Sequence, residues 1–142
     1  MIKILFLHIS LFHLFLFGKQ HFDNIIIDKV VSVYDGDTFK VNIELYPKII
    51  GTNILIRVNG IDTPELKGKC SKENLLGKQA KYFTQYLLNK SKHIELKNTQ
   101  RDKYFRIVAD VYVDNKNIAN ELIENGLAVP YDGGTKTKNW CE

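Results

Sequence analysis

Three neighbouring runs of the chain have the character of strands. The first is rich in β-branched residues, and the other two alternate apolar and polar side chains with the period of two that is typical of half-buried strands. The runs are residues 24–34, 38–45 and 54–59. In the second run, the apolar positions are Phe39, Val41, Ile43 and Leu45. In the third, Arg57 and Asn59 lie on the face opposite the apolar side chains, because successive residues of a strand point to opposite sides. The pattern predicts three adjacent strands that each bury one face.

Two later runs repeat their apolar side chains with helical spacing. The first follows Ser71, a residue type that caps helix N-termini, although Gly77 costs this helix up to about 1 kcal/mol. The second ends before Gly126, a residue type favoured just past a helix terminus. The apolar positions are Leu76, Ala80, Phe83 and Leu87 in the first, and Ile118, Ala119, Leu122 and Ile123 in the second.

Two further strands, residues 93–98 and 106–113, lie between the predicted helices. The order of three strands, a helix, two strands and a helix predicts a mainly β domain, a five-stranded OB-fold barrel with two or three packed α-helices. The 142-residue length and the 44% hydrophobic content suit one domain with a packed core. A net charge of +4 permits an anionic partner such as nucleic acid without requiring one. We assign residues 24–142 to this domain.

Residues 1–22 carry one early lysine and then an apolar run over residues 4–17, broken by His8, Ser10 and His13. The run is shorter than the roughly 20 residues of a bilayer-spanning helix and matches a secretory signal. We expect an N-terminal hydrophobic signal helix and an exported protein, secreted or periplasmic. A small-x-small cleavage box is missing, so an uncleaved membrane anchor remains an alternative. A buried amphipathic helix is a weaker interpretation, because its polar face would be thin.

Cys70 and Cys141 are the two cysteines of the chain. In an oxidising compartment a bond between them would tie down the C-terminus and stabilise the fold by about 2–4 kcal/mol. Two unpaired thiols are nearly as well supported. A metal site is disfavoured, because no histidines accompany the pair.

Two acidic clusters follow apolar runs. Asp35 and Asp37 flank Gly36, and on an extended backbone their carboxylates would lie on one side and repel, which favours a cation between them. The alternative is a solvated Asp-Gly turn. In the second cluster, Asp62 precedes Thr63, and the following proline biases Thr63 toward an extended conformation that directs its carbonyl. Asp37, Asp62 and that carbonyl form an oxygen-only ligand set, which suits calcium and also allows magnesium.

A phosphodiester bound at such a cation needs further positive charge and a group that orients water. Arg57 and Arg106 are candidates for the charge, because a guanidinium can hold two phosphate oxygens, and Glu65 is the candidate for the water. Each arginine alone is also compatible with an ordinary solvated surface position.

The stretches YDGDT, RVNGIDTPE and DKYFR together resemble the staphylococcal nuclease (thermonuclease) family, over about residues 24–131. The resemblance implies an OB-fold, Ca²⁺-dependent nuclease that cleaves DNA and RNA, preferably single-stranded, by attack of water, and that leaves 3′-phosphate ends. We infer no protein partner from the sequence and expect a monomer. The implied metal ligands are Asp37, Asp62 and the Thr63 carbonyl, with Asp35 in an outer shell. The implied catalytic residues are Arg57, Glu65 and Arg106, and the implied substrate-binding residues are Lys103, Tyr104 and Tyr131.

The chain departs from the family pattern at Phe105, where the family usually has glycine. If that glycine served a positive φ, the phenylalanine would be strained and the loop that carries Lys103 and Arg106 would be remodelled. Tyr131 is compatible with base stacking and equally with simple packing. Two other functions stay open: an OB-fold module that binds nucleic acid without cutting it, and a calcium-stabilised surface domain. The second leaves the arginines without a role.

Overall fold

The computed structural model describes residues 24–142, so the predicted signal, residues 1–22, lies outside the described part of the chain. In chain order the strands are β1 (Ile25–Ile26), β2 (Lys29–Val33), β3 (Thr38–Asn42), β4 (Ile54–Val58), β5 (Ile61–Asp62), β6 (Ile94–Arg101), β7 (Ile107–Val113), β8 (Lys116–Asn117) and β9 (Val129–Pro130). The helices are α1 (Lys48–Gly51), α2 (Ser71–Lys90) and α3 (Ile118–Glu124). None of these three helices combines the length and apolar character that crossing a bilayer requires.

The predicted first strand is divided into β1 and β2, and this division makes the sheet curve back on itself. The main sheet runs in the order β1-β6-β7-β4-β3-β2, so both of its ends belong to one stretch of chain. Two neighbouring residues at the division form hydrogen bonds toward opposite ends of this sheet order. Ile27 N donates to Ile94 O at 3.0 Å, and Asp28 N donates to Asn42 O at 3.3 Å. Strands and three helices together form an arrangement consistent with the predicted OB fold.

The predicted alternation is confirmed in β4 and β7, whose inward side chains are buried at every second position. The core side chains of these strands are Ile54, Ile56, Val58, Ile107, Ala109, Val111 and Val113. In the second predicted run the expectation was wrong at Leu45, which is 80% exposed. Strand β3 ends at Asn42, and the chain then turns into the short helix α1, so Leu45 has no sheet to pack against.

Helix α2 packs on the barrel with the predicted face partly confirmed, since Ala80 is buried in the core and the other three predicted residues pack against it. Its buried residues are Glu73, Gly77, Ala80, Thr84 and Leu88, whereas Leu76, Phe83 and Leu87 are only partly buried beside the core. The cap was also predicted one residue late. Cys70 is the N-cap, and its sulfur accepts a hydrogen bond from Glu73 N at 3.4 Å. The end of α3 before Gly126 is as predicted, and Gly126 has a φ of 69°.

A disulfide joins Cys70 to Cys141, as the sequence favoured. Trp140 beside it is 8% exposed, so the last residues are packed as well as covalently tied. We call residues 131–141, which run without helix or strand from β9 to this disulfide, the C-terminal strap. The strap passes over the end of the barrel at which both acidic clusters lie, because Tyr131 and Lys136 line the same cavity as Asp37 and Glu65.

Candidate active site

Strand pairing brings the two predicted arginines and the first acidic cluster to one edge of the barrel. In the antiparallel pair of β3 and β4, Thr38 lies opposite Arg57. In the parallel pair of β4 and β7, Arg57 lies opposite Val108, two residues after Arg106. The side chains of Asp37, Arg57 and Arg106 therefore reach one place from separate parts of the chain.

The acidic turn, residues 34–37, links β2 to β3 and packs against α2 instead of standing in solvent. Gly36 allows this contact, since a Cβ built on it would lie 2.7 Å from the Ala80 Cβ and 2.9 Å from the Thr63 side chain. Thr84 Oγ1 on α2 donates to Gly36 O at 2.6 Å. The interpretation as a solvated turn is therefore wrong, because the backbone at Gly36 and the side chain of Asp37 are buried.

Asp37 is surrounded by donors that hold its carboxylate in one orientation. Thr38 Oγ1 donates to Oδ1 at 3.0 Å, and Thr63 Oγ1 donates to Oδ2 at 3.0 Å. Arg57 Nη2 lies 3.3 Å from the same Oδ2. The hydroxyls and the guanidinium together make burial of this charge acceptable.

Arg57 is itself fixed by the backbone. Its Nη1 donates to Val58 O and its Nη2 to Ile61 O, both at 2.6 Å. These carbonyls belong to the end of β4 and the start of β5, so the guanidinium joins the two strands on either side of the turn at Gly60. The side chain is 13% exposed and lines the cavity described below.

The second acidic cluster is compensated differently. Asp62 ends β5 and is 4% exposed, and its Oδ1 has no hydrogen bond. Lys136 Nζ lies 2.8 Å from that oxygen, and the two groups form an ion pair whose angles do not suit a hydrogen bond. The same ammonium donates a hydrogen bond to Glu65 Oε1 at 2.8 Å. One ammonium from the C-terminal strap thus contacts both acids.

Gly77 explains how Glu65 is positioned. A Cβ on this residue would lie 2.6 Å from Glu65 O and 2.9 Å from Pro64 O, so only glycine lets α2 approach the backbone of this segment so closely. The cost of glycine inside a helix is offset by this contact, which places the Glu65 backbone against a rigid helix.

The loop of residues 102–106 keeps Arg106 at the site despite Phe105. Phe105 has a φ of 62° and its side chain is 82% exposed, so it adopts the left-handed conformation that favours glycine. Asp102 Oδ1 accepts from the backbone nitrogens of Tyr104 and Arg106 at 2.9 and 3.0 Å, and its Oδ2 accepts from Arg106 Nε at 2.7 Å. The loop therefore keeps the left-handed backbone at Phe105, and the hydrogen bonds of Asp102 hold Arg106 at the cavity.

A cavity of about 820 Å³ gathers these side chains. Nine of the ten predicted site residues line it; they are Asp35, Asp37, Arg57, Thr63, Glu65, Lys103, Tyr104, Arg106 and Tyr131. The tenth, Asp62, lies outside the cavity wall and is connected to it through Lys136, which does line the cavity.

Three pKa shifts follow from this arrangement. Burial raises the pKa of Asp35 to about 6, and the negative charge of Asp37 adds to the effect. Burial would lower the pKa of Lys136, but its contacts with Asp62 and Glu65 outweigh burial and raise that pKa. Burial would raise the pKa of Asp102, yet the hydrogen bonds from Arg106 and Tyr104 lower it. At neutral pH the cavity therefore holds charged Lys136 and Asp102.

Among residues 24–142, the side chains that bring three candidate metal-ligand atoms within 4.8 Å of one another are Cys70, Glu73 and Cys141. Both sulfurs of this group are in the disulfide, so it has no thiolate to offer a metal. The acids of the cavity do not form such a three-membered group in the described residues. A cation at these acids would need further oxygen ligands.

Sequence reasoning missed two residues of the site. Asp102 stands first in the DKYFR stretch and could have been found there, as an acid four residues before an arginine. Lys136 carried no signal, because it lies 71 residues from Glu65 in an irregular segment. Its position becomes visible only when the disulfide and the strap are placed.

Comparison with known families matches residues 55–140 to the family described as Staphylococcal nuclease homologue. The chain is 36% identical over 107 residues to Endonuclease YncB of Bacillus subtilis (strain 168), which covers 74% of this chain and 46% of that protein. It is 36% identical over 107 residues to the SPbeta prophage-derived endonuclease YokF of the same strain, covering 74% and 33%. It is 32% identical over 101 residues to Thermonuclease of Staphylococcus hyicus, covering 70% and 56%. The matched region thus spans between a third and just over half of these relatives.

Proposed function

The chain belongs to the family of staphylococcal nuclease homologues, and from that membership we propose that it is a metal-dependent nuclease. In this proposal it hydrolyses phosphodiester bonds of DNA and RNA, preferably single-stranded, and leaves 3′-phosphate ends. The observation that carries the proposal is the single cavity in which Arg57, Arg106 and Glu65 lie beside Asp37. The names of relatives described as endonucleases and a thermonuclease support it. We also propose an exported monomer and a closed five-stranded OB barrel.

The residues present fit a hard cation, for which calcium is our proposal. Asp62 Oδ1 is a buried carboxylate oxygen that already lies 2.8 Å from one positive charge, the Lys136 ammonium, which indicates a position suited to a cation. The candidate ligands are all oxygens, from the carboxylates of Asp37 and Asp62 and the carbonyl of Thr63, and Asp35 would lie outside them. When bound, such an ion supplies positive charge to a phosphate oxygen and makes a bound water a better nucleophile.

The two arginines are suited to the phosphate. Both line the cavity, and both are held by acceptors on one side, Arg57 by two carbonyls and Arg106 by Asp102. Because each guanidinium carries five donors, each retains donors for phosphate oxygens. Held in advance, they stabilise the charge that develops on those oxygens without reorganising during the reaction.

Glu65 is the group suited to the water. Its side chain is 54% exposed at the cavity, and a carboxylate there can orient a water molecule and accept its proton. Lys103 and Tyr104 extend the same wall and would contact a neighbouring phosphate. Tyr131 also lines the cavity, and its ring would stack on a base while its hydroxyl donates to Gly134 O at 2.7 Å.

The test is digestion of denatured DNA by the purified full chain, with calcium and then with a chelator. We expect degradation with calcium, loss of activity in chelator, and a fall of about 10²–10⁴-fold in rate for Glu65→Gln. Glu124→Gln, an exposed glutamate at the end of α3, is the matched control and should leave the rate unchanged. Unchanged digestion in chelator would remove the metal from the proposal. Binding of DNA without cleavage by the unaltered protein would favour the non-catalytic OB module instead.

A further inference from the structure

Lys136 occupies the place between the two acids where a positive charge is most needed. Its Nζ lies 2.8 Å from Asp62 Oδ1 and 2.8 Å from Glu65 Oε1. The Asp62 side chain is 6% exposed, so without this ammonium its charge would be buried with little compensation. Lys136 is 48% exposed, so the ammonium can swing into solvent when another cation arrives.

The strap that carries Lys136 is held at both ends. At one end, Tyr131 N donates to Gly60 O at 2.9 Å, beside the pairing of β5 with β9. At the other end, Cys141 is bonded to Cys70, and Trp140 is buried. Lys136 lies midway between these anchors, so it is confined near Asp62 at a high effective concentration.

We propose that Lys136 is a tethered internal cation of this site, which neutralises Asp62 in the ion-free protein and which a divalent ion must displace in order to bind. This inference rests on the proposed function, in that the site takes a divalent cation. The physical reason is that one carboxylate oxygen cannot lie close to an ammonium and a divalent ion without the two cations repelling each other. Lys136 therefore stabilises the ion-free protein and weakens ion binding by the same contact.

The test is calorimetric titration of calcium into chelator-stripped full chain, comparing the unaltered protein with Lys136→Met. Methionine keeps the apolar stem and removes the charge. We expect the Kd for calcium to fall about tenfold in Lys136→Met, as removal of a competing cation predicts. Lys138→Met is the matched control, since it removes one charge from the same exposed strap at a residue that lies over Trp140. We expect it to leave the Kd close to that of the unaltered protein.

A second readout does not depend on ion affinity alone. In chelator, Lys136→Met should unfold at a lower temperature than the unaltered protein, and calcium should raise its Tm by more, because binding to the folded state stabilises it. Lys136→Arg, which keeps the charge, should return both the Kd and the Tm toward those of the unaltered protein.

The outcomes separate this inference from the proposed function. If Lys136→Met binds calcium no more tightly than the unaltered protein, and the unaltered protein still digests DNA with calcium, the internal cation is overturned and the nuclease stands. If neither protein binds calcium, the metal of the proposed function fails together with it.

The disulfide supplies a further arm of the same experiment. Reduction of Cys70–Cys141 removes the covalent tie at one end of the strap and leaves only the packing of Trp140 there, so calcium should bind the reduced unaltered protein more tightly than the oxidised one. In Lys136→Met, reduction should change the Kd little, because the competing charge is already gone and the two effects share one contact. An equal gain in both proteins would overturn the tether.

Discussion

The two halves of the site are supported in different ways. On the barrel side, Asp37 and Arg57 are held by groups in the strands or next to their ends, namely two threonine hydroxyls and two carbonyls at 2.6–3.0 Å. On the strap side, Asp62 and Glu65 meet one lysine that a disulfide holds in place from far along the chain. Asp37 and Arg57 of the first half are largely buried, whereas in the second half Asp62 is buried but Glu65 and Lys136 are about half exposed.

The difference in support indicates that the two halves have different roles. A guanidinium fixed by backbone carbonyls cannot move without disrupting the ends of β4 and β5, which suits a group that must meet a phosphate in one geometry. An ammonium on an irregular, half-exposed segment can leave, which suits a place that an ion and a water must enter. The site therefore combines a fixed part and a displaceable part.

The largest expected effect comes from breaking the barrel side with Arg57→Met. The change leaves Asp37 buried without its cation and leaves Val58 O and Ile61 O without their donor. We expect a loss of about 3–5 kcal/mol in the free energy of unfolding, as when one partner of a buried ion pair is removed. Urea unfolding measures this value, and digestion of denatured DNA should be abolished.

Arg101→Met is the control for Arg57→Met. Arg101 is exposed on β6 and donates to Phe105 O, so its loss removes an equal charge without burying one. If Arg57→Met lowered the free energy of unfolding by less than about 1 kcal/mol, as the control should, Arg57 would contribute no more than an ordinary surface arginine. The two halves of the site would then not differ in how they are supported.

A smaller effect is expected on the strap side from Gly77→Ala. The added Cβ would meet the backbone of Pro64 and Glu65, which cannot rotate away as a side chain can, so α2 or this segment must shift. We expect a loss of about 1–3 kcal/mol in the free energy of unfolding and a fall of about 10²-fold in digestion rate, because Glu65 moves relative to the phosphate. Urea unfolding and the DNA digestion assay measure the two.

Gln79→Ala, at an exposed position two residues on in the same helix, is the control and should leave both values unchanged. If Gly77→Ala were instead stabilising, as alanine is in an unconstrained helix, the approach of α2 to Glu65 would not be the reason for the glycine.

Most of the fold followed from local patterns. Side-chain alternation in β4 and β7 and the glycine after α3 are short-range signals, and each was predicted correctly. The division of the first strand was not visible, because β-branched residues occur on both sides of it, and only the hydrogen bonds of Ile27 and Asp28 to different partner strands separate β1 from β2. Leu45 was placed inward for a similar reason, since alternation does not show where a strand ends.

The site was predictable to the extent that motifs carry it. Glu65 and Arg106 lie within recognisable stretches, and the structure brings both to one cavity, although their roles remain predictions. Lys136 and the burial of Gly77 and Thr84 on α2 were not predictable, because both depend on contacts between distant segments. Gly77 is an example. Helix propensity alone predicts that this glycine destabilises α2, but it is needed because a side chain there would clash with the backbone of Glu65.

The smallest expected effect concerns Phe105→Gly, which tests whether the 102–106 loop belongs with the fixed part or with the displaceable part. Phe105 has a φ of 62° and an exposed ring, so glycine relieves strain and removes little packing, although it also loosens the unfolded chain. We expect a net gain between about 0 and 1 kcal/mol in the free energy of unfolding, measured by urea, and an unchanged digestion rate.

Asn53→Gly provides the comparison for this variant, because Asn53 is also exposed and has a φ of 56°, but asparagine tolerates that conformation. A larger gain in the free energy of unfolding at Phe105 than at Asn53 would mean that the backbone at Phe105 is strained. The three hydrogen bonds that Asp102 accepts would then hold Arg106 in place despite that strain. A fall in digestion rate with Phe105→Gly would mean that the phenylalanine itself stiffens the loop. Arg106 would then, like Lys136, lie on a segment that can move, and would belong to the displaceable part of the site.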